Sequence, residues 1–74
     1  MSNNTEVRRW RKIRVKEKDR GLLHYLENIA TDCGILTNSM EFEDETGLWV
    51  LCVLCTIKEY NVLYELKDMM VDKK

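Results

Sequence analysis

The feature that most constrains this chain is the junction at residues 19–23, where Asp19, Arg20, Gly21, Leu22 and Leu23 join a basic alternating segment directly to an amphipathic one. Upstream, Ile13 and Val15 alternate with Lys12, Arg14 and Lys16, the period of two expected of a half-buried strand. A helical reading competes there, with Val7, Trp10, Arg11 and Arg14 on one basic face. The strand fits better from Trp10 onward, because a helix would put Ile13 and Val15 on different sides. Downstream, Leu22, Leu23, Leu26, Ile29, Ala30 and Cys33 recur at three- and four-residue steps, which marks a helix with one buried stripe. Asp19 is placed to cap its start and Gly34 to end it. A strand, a glycine turn and a helix N-terminus together form a niche for a small ligand, since the first helical N–H groups lack partners.

The remaining segments complete an order of strand, helix, strand, strand, helix. Residues 35–43 alternate, with Leu36, Met40 and Phe42 expected on one side and Thr37, Ser39 and Glu41 on the other. The acidic stretch 44–47 ends in Gly47 and reads as a hairpin turn. Residues 48–57 form an apolar strand, and residues 59–70 a second helix with Val62, Leu63, Leu66, Met69 and Met70 inward. This predicts an α+β fold: a ferredoxin-like βαββα sandwich, an antiparallel sheet with two helices on one face, and a fourth strand absent or very short. Residues 1–9 are expected to be a flexible basic arm and residues 10–74 a single domain. The 48–57 strand is apolar on both faces, so the sheet face away from the helices is expected to be covered by a partner. Trp49, Leu51, Val53 and Cys55 are the expected interface residues. Without a fourth strand, one sheet edge should also expose unpaired backbone groups. Both features point to self-association or docking on another protein.

Composition narrows the functional classes. With 34% charged residues and no apolar run near the roughly 20 residues needed to span a bilayer, the chain is expected to be cytoplasmic and not membrane-bound. A domain of this size buries a limited core, which favours pairing. Residues 1–20 hold eight Lys/Arg against three acids, and residues 21–74 hold four against ten. That asymmetry supplies the alternative reading, a nucleic-acid-binding module using Arg8, Arg9, Trp10, Arg11, Lys12 and Arg14. Opposing it, no aromatic-rich RNA-recognition signature is visible and the chain beyond residue 20 is acidic. A small inhibitor docking by its edge strand is a further alternative. Three cysteines cannot form a complete disulfide set, and Cys52 and Cys55, three apart on a strand, point to opposite faces and cannot grip one metal. His24 is the one histidine and is expected on the surface. Glu41, Glu43, Asp44 and Glu45 match no calcium loop and are expected to solvate the hairpin tip. No cofactor motif and no paired acid, base or nucleophile stands out, so no enzymatic activity is expected.

The segments IRVKEKDRGLL at 13–23, LENIA at 26–30, CGI at 33–35, the strand 48–57 and EYNVL at 59–63 resemble the ACT domain. They look most like the C-terminal ACT domain of bifunctional guanosine tetraphosphate synthetase/hydrolase enzymes. The resemblance implies a regulatory, dimerising module without catalysis, in which an amino-acid effector binds at the loop after the first strand. Carried onto this sequence, that niche comprises Asp19, Arg20, Gly21 and Leu22, with Asn38 nearby. The chain departs from the family in having no proline before the glycine and no evident fourth strand.

Overall fold

The computed structural model describes residues 7–71. The first strand, β1 (Arg9–Val15), runs into a single 3-10 turn at Glu17–Asp19 and then helix α1 (Arg20–Asp32). Two short strands follow, β2 (Leu36–Thr37) and β3 (Glu41–Glu43), then β4 (Leu48–Cys55) and helix α2 (Ile57–Val71). The sheet is antiparallel. β4 is central, with β1 on one side and β2 and β3 in succession along the other. This order is compatible with a ferredoxin-like frame. The expected arm at 1–9 falls largely outside the described residues, and Arg9 is the first residue of β1.

The core lies between the sheet and the helices. Ile13 and Val15 of β1 and Leu51, Val53 and Cys55 of β4 meet Leu23, Leu26 and Ala30 of α1 and Leu63 of α2. Directly paired residues of antiparallel strands share a face. The register Ile13 to Leu51 and Arg11 to Val53 therefore assigns the odd-numbered residues of β1 and β4 to the helix side. Trp10, Lys12 and Arg14, with Leu48, Val50, Cys52 and Leu54, form the opposite, open face.

The end of α1 and the start of α2 each have a local cause. At the end of α1 the Gly34 N–H donates to the Thr31 carbonyl at 3.0 Å and the Ile35 N–H to the Ala30 carbonyl at 2.8 Å. That pattern needs a left-handed residue at Gly34, whose φ is +79°. Ile35 then enters the core beside Ala30. Helix α2 starts at Ile57, two residues before the predicted start. The Glu59 N–H donates to Thr56 Oγ1 at 3.1 Å and the Thr56 N–H to Glu59 Oε1 at 2.9 Å, a reciprocal capping box. At the start of α1, Asp19 occupies the predicted cap position, but its side chain makes no capping hydrogen bond.

One departure from the expected pattern reorganises the edge. Leu36 opposes Leu54, whereas Glu41 opposes Val50, so five steps along the edge match four along β4. The extra residue is a bulge between β2 and β3, and it reverses the inward–outward phase beyond it. Leu36 therefore points to the open face, while Met40 packs on the core and Phe42 meets Trp49 on the helix side. The expectation that Leu36, Met40 and Phe42 share one side is corrected accordingly.

Candidate functional site

The open face is the only large part of the sheet left without a helix among the described residues, and its layout is ordered by register. Trp10, Leu54 and Leu36 lie in one row across β1, β4 and β2. Leu54 is partly buried, but Trp10 and Leu36 are 51% and 63% exposed. The next row holds Lys12 and Cys52, with Asn38 beside them through its N–H donating to the Cys52 carbonyl at 3.0 Å. A third row sets Arg14, Val50 and Glu41 side by side. The three columns of this face are thus basic after Trp10, apolar, and acidic after Leu36.

The charged end of the face covers itself. Arg14 Nε donates to Glu43 Oε1 at 2.8 Å, reaching across the central strand, and Lys12 Nζ lies 3.8 Å from the same carboxylate. Thr46 Oγ1 also donates to Glu43, at 2.8 Å. These bonds, that from Arg14 first, hold the Glu43 carboxyl down to about 2 and raise the Arg14 guanidinium further. Val50 shows the consequence. It is 6% exposed, yet it lies outside the core cluster and has no helix above it. The side chains bridging β1 and β3 shield it instead. Among the described residues no comparable ion-pair bridge spans Trp10, Leu54 and Leu36, so the exposed apolar surface of this face is concentrated at one end.

The predicted interface residues fall elsewhere. Leu51, Val53 and Cys55 are fully buried in the domain's own core and are not open to a partner. Burial also pushes the Cys55 thiol up, away from nucleophilic character. Trp49 is held within the domain: its Nε1 donates to Glu17, the Arg20 guanidinium stacks 5.0 Å from its ring and Phe42 meets it edge-on at 5.5 Å. Of the expected set, Leu51, Val53 and Cys55 therefore lie on the core side of β4, opposite to the open face. The outward set is Leu48, Val50, Cys52 and Leu54.

The predicted effector niche is not brought together. Asp19, Arg20, Gly21 and Leu22 are consecutive at the start of α1, but Asn38 lines a separate hollow of about 320 Å³ on the open face with Lys12, Ser39 and Val50. Gly21 lies inside the helix with a negative φ and no atom within 4 Å of where a Cβ would stand. It forms neither a turn nor a close approach. Leu22 packs against the core, and Arg20 is committed to Trp49 and, at 3.5 Å, to Glu17.

The basic residues of the nucleic-acid reading are largely engaged within the domain. Arg8 lies 3.5 Å from Glu59, Arg11 Nε donates to the Cys55 carbonyl at 3.1 Å, and Arg14 is held by Glu43. Arg9 and Arg11 also belong to the helix side, whereas Trp10, Lys12 and Arg14 belong to the open face. His24 is exposed, 4.0 Å from Glu27. Cys33 is exposed, Cys52 half-buried on the open face and Cys55 buried, and no group of metal-binding side chains occurs among the described residues. Among the described residues no helix is long and apolar enough to cross a membrane.

The free edge of β1 is partly closed. Tyr60 of α2 donates its hydroxyl to the outward Lys12 carbonyl at 2.8 Å. The Tyr60 hydroxyl titrates above its ordinary range, chiefly because burial disfavours the phenolate. Trp10 stood in the sequence only as a member of the nucleic-acid set, and Leu36 was expected beside Met40 and Phe42. No family model, curated protein or solved structure matches this chain.

Proposed function

We propose that this chain is a non-catalytic assembly module of ferredoxin-like, ACT-like type that pairs with a second copy through its open sheet face. The observation that carries the reading is the row Trp10, Leu54 and Leu36, which crosses three strands and whose two outer members are about half exposed or more among the described residues. Burying a large apolar side chain contributes roughly 1.5–3 kcal/mol, so an uncovered aromatic and two leucines in register form an incentive to associate. A second copy is a suitable cover because the row is apolar throughout and can meet itself.

The edge of β1 is a poorer self-pairing surface. Setting two β1 strands side by side would gather Arg9, Arg11, Lys12 and Arg14 of both copies along one ladder, and like charges across a ladder destabilise it. The Tyr60 hydroxyl on the Lys12 carbonyl also occupies part of that edge. Charge on an edge strand is a recognised defence against edge pairing. Face pairing follows from the same strand: its odd residues line the core side and its even residues flank the apolar column.

Sedimentation equilibrium of the purified chain across concentration tests the proposal. A dimer at micromolar concentration supports it. A monomer throughout, with the fold intact by circular dichroism, overturns it.

A further inference from the structure

Resting on that pairing, we infer that the two copies stack open face to open face about a two-fold axis running along the strands, so that each basic column lies over the other copy's acidic column. The open face has a handed layout. Lys12 and Arg14 flank the apolar column on the β1 side, and Glu41 and Glu43 flank it on the β3 side. Closed dimers of identical chains use a two-fold axis, and face-to-face stacking leaves two families of in-plane choice.

An axis across the strands returns each column to itself. With that axis through the Trp10, Leu54 and Leu36 row, which keeps the row superposed on itself, the Lys12, Arg14, Glu41 and Glu43 side chains of the two copies extend in opposite directions along the strands and do not meet. An axis along the strands exchanges the outer columns and leaves the centre in place. Leu54 then faces Leu54, Trp10 faces Leu36, Lys12 faces Asn38 and Arg14 faces Glu41. The first choice leaves Arg14 and Glu41 without a counter-charge on the second copy, and the second sets Arg14 over Glu41 on both flanks. The second superposes every row, apolar and charged alike, because displacement along the strand is unchanged by the rotation. The two β4 strands run in the same direction, within the roughly 30° offset that stacked twisted sheets adopt.

The Arg14–Glu43 bridge fits the same geometry. In one copy it spans the apolar column above Val50. In the stacked pair Arg14 also comes within range of the second copy's Glu41. The charged end then acts as a register guide beside the apolar contact.

Thiol crosslinking between mixed variants tests the axis. In a Cys33→Ser, Cys52→Ser background that leaves buried Cys55 in place, Lys12→Cys and Asn38→Cys are made separately, and sedimentation verifies that each remains a dimer. A short bismaleimide of about 10 Å reach matches the spacing of stacked sheets. The inferred axis requires a covalent dimer in the mixture of the two variants and little or none from either alone. A persistent dimer in which the mixture gives no covalent product beyond that of either variant alone overturns the inferred axis and leaves face pairing standing. Loss of the non-covalent dimer on Leu36→Asp identifies the face independently of the axis. A chain that is monomeric before any substitution overturns both the axis and the assembly reading.

Discussion

Arg14 and Glu43 stand on opposite outer strands, yet their side chains meet at 2.8 Å above the central one. This contact accounts for a buried valine on a face that has no helix, and it divides that face into a self-covered charged end and an uncovered apolar end. Both pairing arguments rest on that division.

Acid should weaken the fold through Glu43. Its carboxyl titrates at about 2, against an ordinary value of 4.5, because Arg14 and Thr46 donate hydrogen bonds to the ionised form. A depressed folded-state value stabilises the fold above pH 4.5, and that contribution is lost as pH falls towards 2. Thermal melts of the wild type and Glu43→Gln across this window check it. The variant should show a shallower loss of Tm on acidification, and parallel losses would contradict the assignment.

Leu51 and Leu36 should respond oppositely to truncation. Leu51 is fully buried, so Leu51→Ala should cost about 2–5 kcal/mol in urea unfolding. Leu36 is 63% exposed in the single chain, so Leu36→Ala should change monomer stability by no more than about 0.5 kcal/mol. Equal costs, measured below the dimer's dissociation range, would contradict the assignment of faces.

The glycines at the two ends of α1 should also differ. Gly34 has a φ of +79°, and a side chain there costs about 1 kcal/mol or more, so Gly34→Ala should lower Tm. Gly21 is helical with open space around it, so Gly21→Ala should be neutral or stabilising by up to about 1 kcal/mol. A large loss from Gly21→Ala would restore a special role for the β1–α1 junction.

Removing the Tyr60 hydroxyl separates stability from assembly. Tyr60→Phe deletes the bond to the Lys12 carbonyl and should cost about 0.5–1.5 kcal/mol. It should leave the dimer's dissociation constant unchanged, because the basic edge it uncovers does not pair with itself. Stronger self-association in Tyr60→Phe would make the edge the working surface.

Most of the element order was legible because periodicity is strong where one side of an element is buried. The α1 stripe of Leu23, Leu26 and Ala30, the Gly34 stop and the 44–47 turn all occur as expected. The bulge was not legible. Asn38, Ser39 and Met40 carry no glycine or other local mark of an extra residue, and the shift emerges only from pairing with β4. That single residue decides whether Leu36 is core or surface. The face of β4 was also ambiguous, since Leu48, Val50, Cys52 and Leu54 are as apolar as Trp49, Leu51, Val53 and Cys55. Only the position of the helices separates the two sets. The Thr56–Glu59 capping box was readable from its spacing, and it marks the true start of α2.

The most direct test of the central claim is sedimentation equilibrium on Leu36→Asp beside the wild type, with circular dichroism to verify the fold. The account predicts a dimeric wild type and a folded, monomeric variant, because a carboxylate at Leu36 cannot be buried against the second copy's Trp10. A variant as dimeric as the wild type would contradict the claim that the Trp10, Leu54 and Leu36 row is the assembly surface.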